Sequence, residues 1–102
     1  MRIIKVPFLV DAVEKHPKAR KWVEAWCSVA RVAEWRNIQE VRASYPSADT
    51  VRVKSGSNVV VFNVCHNDFR LVVAIHYNRG IVYTLRFMTH AEYSKERWKE
   101  EL

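Results

Sequence analysis

The sequence predicts an α+β fold: an N-terminal α-hairpin packed on an antiparallel β-sheet and closed by a short C-terminal helix. Three observations predict it. Before Glu34, apolar residues recur at helical spacing in two segments separated by His16-Pro17. From Thr50 to Met88 the period changes to the alternation of strands, punctuated by turn residues. After Thr89, charged residues of both signs surround a few apolar ones, as on a solvated helix.

The elements follow in order. Ile3-Ile4 is a short β-branched run, expected as a strand at a sheet edge. Pro7 suits the first turn of a helix, and Phe8, Leu9, Ala12 and Val13 continue it to His16-Pro17. Pro17 then opens a second helix, whose apolar stripe is Trp22, Val23, Trp26, Val29, Ala30 and Ala33. Its two tryptophans are read as core anchors. Ile38 and Val41 allow a short helical turn, and Tyr45-Pro46-Ser47-Ala48-Asp49 is a turn cluster.

Thr50–Lys54 alternates as a half-exposed strand. Ser55-Gly56-Ser57-Asn58 is its hairpin loop. Val59–Val64, Arg70–Tyr77 and Ile81–Met88 are three further strands, joined by turns at His66-Asn67-Asp68 and Asn78-Arg79-Gly80. Side-chain alternation sets Leu71, Val73, Ile75 and Tyr77 against Arg70, Val72, Ala74 and His76. Likewise it sets Ile81, Tyr83, Leu85 and Phe87 against Val82, Thr84, Arg86 and Met88. The larger apolar set is expected on the helices, which leaves Arg70, His76, Thr84 and Arg86 on a basic second face. Thr89 and Glu92 form a capping box opening a helix to about Glu101.

The 102 residues suit one domain, 1–102. The content of 49% hydrophobic and 27% charged residues argues against disorder. No apolar run approaches a membrane span, and Met1–Lys5 has no signal-peptide pattern, so the expectation is a cytoplasmic protein without membrane contact. Cys27 and Cys65 share no metal-ligand spacing and are read as small hydrophobes. The net charge of +6 suggests a polyanionic partner, a nucleic acid or an acidic protein segment. Residues 1–54 hold most of the excess, with 11 Lys/Arg against 6 Asp/Glu.

With two glycines there is no phosphate-binding loop, and no paired-carboxylate, HExxH or CxxC motif occurs; no cofactor or metal is expected. Arginine, histidine and tyrosine beside one sheet face suit RNA cleavage by the ribose 2′-hydroxyl. Histidine serves as base or acid, arginine as a fork for phosphate, and tyrosine as a proton donor or stacking platform. Each has an alternative. Arg70 and Arg86 would form structural ion pairs with Asp68 or Glu92; His66 and His76 would be plain surface residues; His90 would be a polar helix start, and Tyr93 would tuck against the sheet.

The run Val61-Phe62-Asn63-Val64-x-x-Asn67-x-x-Arg70-Leu71-Val72, then Ile75-x-Tyr77, then Leu85-Arg86-Phe87-x-Thr89-His90-x-Glu92-Tyr93, resembles the HigB-type toxins of the RelE-like mRNA endoribonucleases. Tyr45-Pro46-Ser47-Ala48-Asp49 resembles that family's Phe-Pro-Ser-Ala-Asp. The resemblance implies a toxin that cuts mRNA on the ribosome. It also implies inhibition by a HigA-type helix-turn-helix antitoxin, with operator DNA contacted only through the antitoxin. It places catalysis on Arg70, Arg86, His90 and Tyr93, and RNA contact on Lys95, Arg70, Arg86 and His76; Asn63 and Asn67 fall to structural hydrogen bonding. Two positions depart from the pattern. Cys65-His66 stands where the family commonly has Gly-Gly, and Ser94 where it commonly has Asp. A non-catalytic RNA- or ribosome-binding module, or a structural partner in a protein complex, is the alternative.

Overall fold

Pro7 lies in the first turn of helix α1 (Val6–Lys15), where its missing N–H costs nothing. The helix stops at His16, and a 3-10 turn over Pro17–Ala19 leads into α2 (Arg20–Val32). The buried stripe of α2 is Val23, Trp26, Cys27 and Ala30, at i, i+3, i+4 and i+7. Cys27 therefore replaces Val29 of the expected stripe; Val29 is exposed. Helix α3 (Ile38–Ser44) is fixed by Asn37, whose side chain accepts the Glu40 N–H, while the Glu40 carboxylate accepts the Arg36 N–H.

The computed structural model describes residues 1–102 and arranges five strands as β1-β5-β4-β3-β2. They are β1 (Arg2–Ile4), β2 (Asp49–Arg52), β3 (Asn58–Val64), β4 (Phe69–His76) and β5 (Ile81–Thr89). All neighbours are antiparallel except β1, which runs parallel to β5 at the sheet edge. The α-hairpin and α3 cover one face through Leu9, Val23, Trp26 and Val41 against Phe62, Leu71, Val73 and Val82.

The expected alternation fails at one place. Opposite β4, Arg86 pairs with Val72 and Thr84 with Val73, so Leu85 is an extra residue, a β-bulge. The bulge reverses the phase of β5. Phe87, Thr84 and Val82 face the helices, while Met88, Arg86 and Leu85 face the other way. Thr84 is thus not on the basic face. It is buried, and its hydroxyl sits between the carbonyls of Ile4 and Lys5 at 3.0 and 3.1 Å.

The second face is also less open than expected. Val53, Val59, Val61, Val72 and Met88 form a small apolar patch under Trp98. The chain reaches it because the C-terminal segment is two helices, not one helix to Glu101. These are α4 (His90–Ser94) and α5 (Arg97–Glu101), broken at Glu96 with φ of 60°.

In the β3–β4 turn, Cys65 and His66 both adopt left-handed backbone, φ of 51° and 65°. Those are the two positions of the Gly-Gly departure, and the conformation is costless only for glycine. His66 is exposed. His66→Gly is expected to raise stability by about 0.5–1 kcal/mol. The left-handed cost of ~1–2 kcal/mol is released, and the unfolded freedom of glycine takes back ~0.4–1. Cys65→Gly should gain less, since the Cys65 thiol is half-buried and reaches the Lys18 carbonyl. Denaturant midpoints of the two variants test the ordering.

Candidate active site

Arg70 projects from β4 onto the second face and is only 8% exposed. Its guanidinium has no carboxylate partner. It donates to the carbonyls of Asn67 and Phe69 at 3.2 and 3.0 Å and to the Asn67 side-chain oxygen at 3.2 Å. Asn63, beside Arg70 on β3, donates to the same Asn67 oxygen at 3.5 Å. Both asparagines are structural hydrogen-bonders, as expected. The Arg70 guanidinium also lies 5.3 Å from the centre of the Tyr93 ring. The alternative pairing with Asp68 does not form, because Asp68 binds Lys18.

Arg86 is a diagonal neighbour of Arg70 on the same face, a separation of about 7–8 Å across the two strands. It stands at a gap in the sheet. Strand β1 covers only Ile81–Tyr83, because Lys5 turns to φ of 68° and starts α1. Beyond Tyr83 the edge of β5 is free of a β1 partner, and α4 and α5 wall off a cleft of about 360 Å³ beside it. Arg86, Lys95 and Arg97 bring three cations to this cleft, and Glu92 and Glu101 bring two carboxylates. Arg86 donates to its neighbour carbonyl Leu85 at 2.8 Å and lies 3.8 Å from the Glu101 carboxylate, not from Glu92.

The expected residues therefore separate into groups. Arg86 and Lys95 line the cleft; Arg70 and Tyr93 stack together on the same sheet face. His90 is exposed at the start of α4, one turn from Tyr93, and its N–H donates to the Asp68 carbonyl at 3.0 Å. His76 is not brought to the cluster: six residues along β4 from Arg70 is roughly 20 Å, and it packs edge-on against Tyr83. The Ser94 hydroxyl donates to the His90 carbonyl at 2.9 Å within α4, so it orients no acid or base.

Four residues near the site were not singled out from sequence: His16, Arg97, Trp98 and Glu101. His16 lies against Phe69 and Phe87, at 5.0 and 6.0 Å between ring centres. The visible signal for Trp98 was a lone large aromatic in a charged tail. Glu92 closes the capping box with Thr89. Its carboxyl is held below the usual value, first by the Thr89 backbone N–H. Burial opposes this, and the Thr89 hydroxyl, His16 and Lys95 reinforce it. A depressed carboxylate adds stability above its unfolded value and loses it as pH falls through the folded one. Glu92→Gln should therefore lower the melting temperature at pH 7, and the two curves should converge below about pH 4. Melting curves from pH 3 to 7 check this.

An α-hairpin and short C-terminal helices on a five-stranded, mostly antiparallel sheet are consistent with the fold of a RelE-like toxin. The chain belongs to the HigB-toxin family, the RelE-like toxic component of a toxin–antitoxin system, which it matches over residues 19–96. It is 28% identical over 93 residues to the mRNA interferase toxin HigB of Escherichia coli (strain K12), covering 91% of this chain and 88% of that one. The proteins named mRNA interferase HigB from Escherichia coli O157:H7 and Shigella flexneri match to the same extent. Membership implies a cognate antitoxin. No helix is long and apolar enough to cross a membrane.

Proposed function

We propose that this chain, acting as one domain over residues 1–102 in the cytoplasm, is a ribosome-dependent mRNA endoribonuclease. The observation that carries the reading is the cleft where Arg86, Lys95 and Arg97 converge beside the Arg70–Tyr93 stack. Three cations around a space of this size suit a phosphate whose charge grows in the transition state. In the step proposed, the ribose 2′-oxygen attacks the adjacent phosphorus and its proton passes to a base. The bond to the 5′-oxygen breaks, and that oxygen takes a proton from an acid. The products are a 2′,3′-cyclic phosphate and a free 5′-hydroxyl. His90 and Tyr93 are the groups able to move the two protons. Arg86 and Lys95 hold the phosphate, and Arg70 fixes Tyr93. His76 is left as a contact to RNA outside the cleft.

The inhibitor in this reading is a HigA-type helix-turn-helix antitoxin, and operator DNA is reached only through it. The relatives named mRNA interferase support the substrate. The test presents one mRNA free and on isolated ribosomes, and maps the new ends. Cuts only on ribosomes, ending in a cyclic phosphate, are expected. Intact mRNA with persistent, salt-sensitive ribosome binding would favour the non-catalytic module instead.

A further inference from the structure

Helix α5 lies outside the family match, which ends at residue 96, yet it carries the group that holds Tyr93. Trp98 is 2% exposed and stacks on Tyr93, with ring centres 5.3 Å apart and planes inclined by 21°. Its indole N–H also donates to the Tyr93 carbonyl at 3.1 Å. One side chain thus fixes both the ring and the backbone of Tyr93, while Arg70 contacts the same ring. The geometry depends on the break. In a continuous helix, residues five apart are turned by about 140° and rise about 7.5 Å, so their rings diverge. The left-handed Glu96 folds the chain back and brings them together. The indole is anchored in turn by Val53, Val59, Val61, Val72 and Met88. Lys54, whose N–H donates to the Lys99 carbonyl, ties α5 to the end of β2.

We propose that Trp98 is a positioning residue for Tyr93: almost wholly buried, it acts through the tyrosine and sets the rate by holding the phenol where the reaction needs it. The inference rests on the reading that Tyr93 takes part in cleavage. Three variants test it by single-turnover cleavage: Trp98→Phe, which keeps a stacking ring, Trp98→Leu, which keeps apolar volume alone, and Tyr93→Ala. Trp98→Leu should lower the cleavage rate about tenfold with KM within twofold. Trp98→Phe should stay within about threefold of the parent. Trp98→Leu added to Tyr93→Ala should lower the rate no further. The Tyr93 ring protons should be shifted upfield by the indole, and should return towards free-tyrosine positions in Trp98→Leu.

Full activity in folded Trp98→Leu overturns the proposal. So does an equal loss with and without Tyr93, which is the signature of a merely structural role. Should Trp98→Leu not fold, Trp98→Phe decides: it must keep both the rate and the shifted ring protons. If Tyr93→Ala alone cleaves normally, the assignment of Tyr93 falls and this inference with it; that single variant tells the two failures apart.

Discussion

Arg86→Ala is expected to lower mRNA cleavage by about 10²–10³-fold, the effect of deleting one preorganised charge from a phosphoryl or oxyanion site. The fold should survive it. Arg86 is partly exposed, its ion pair with Glu101 is long at 3.8 Å, and its other partner is the carbonyl of its own neighbour. Pairs of that kind contribute about 0–1 kcal/mol. Arg86→Lys should fall between the two, since it keeps the charge and loses the planar fork. Arg70→Ala should behave differently. Arg70 bonds the Asn67 and Phe69 carbonyls and lies against Tyr93, so both melting temperature and rate should drop. Cleavage rates beside thermal midpoints separate the two arginines. A folded Arg86→Ala protein cutting at the parent rate would refute the assignment.

Phe62→Ala should cost about 3–5 kcal/mol, the range for removing a fully buried aromatic. Phe62 is 1% exposed on the helix-covered face. It meets Trp26 edge-on at 5.6 Å and Tyr45 at 5.3 Å, so three elements lose a shared contact at once. Against a typical domain stability of about 5–15 kcal/mol, that is a third or more of the margin for many proteins of this size. Phe62→Leu should lose well under half as much. Guanidinium unfolding should show a lower midpoint with unchanged slope. At a temperature where Phe62→Ala stays folded, its cleavage rate should remain near the parent's, because the site lies across the sheet.

The residues that could be placed from sequence are those governed by local rules. Pro7 and Pro17, the Thr89–Glu92 box and the sidedness of Arg70 follow from spacing alone, while the structural part of Asn63 and Asn67 comes with the family resemblance. Thr84 did not, because one extra residue at Leu85 reverses a strand and no side chain there announces it. The cleft did not either. It exists because β1 ends at Ile4, and only the assembled sheet shows which part of β5 that leaves open. Trp98 was hidden by the turn at Glu96, a residue type with no preference for left-handed backbone. His76 lies on the expected face but at the wrong end of its strand, a distance that alternation does not measure.

The pairing of β1 with β5 fixes an order of assembly. Arg2 meets Ile81, and the Thr84 hydroxyl bonds the Ile4 carbonyl across 80 positions of sequence. At about 5–20 residues per second, β1 waits roughly 4–16 s for its neighbour to be synthesised. The edge of the sheet therefore closes late, by a contact of high sequence separation, and slow closure is expected of such topology. The rim of the cleft is defined by that same closure. A nascent chain of this protein therefore completes the rim of its cleft only after β5, the strand that carries Arg86, has been made.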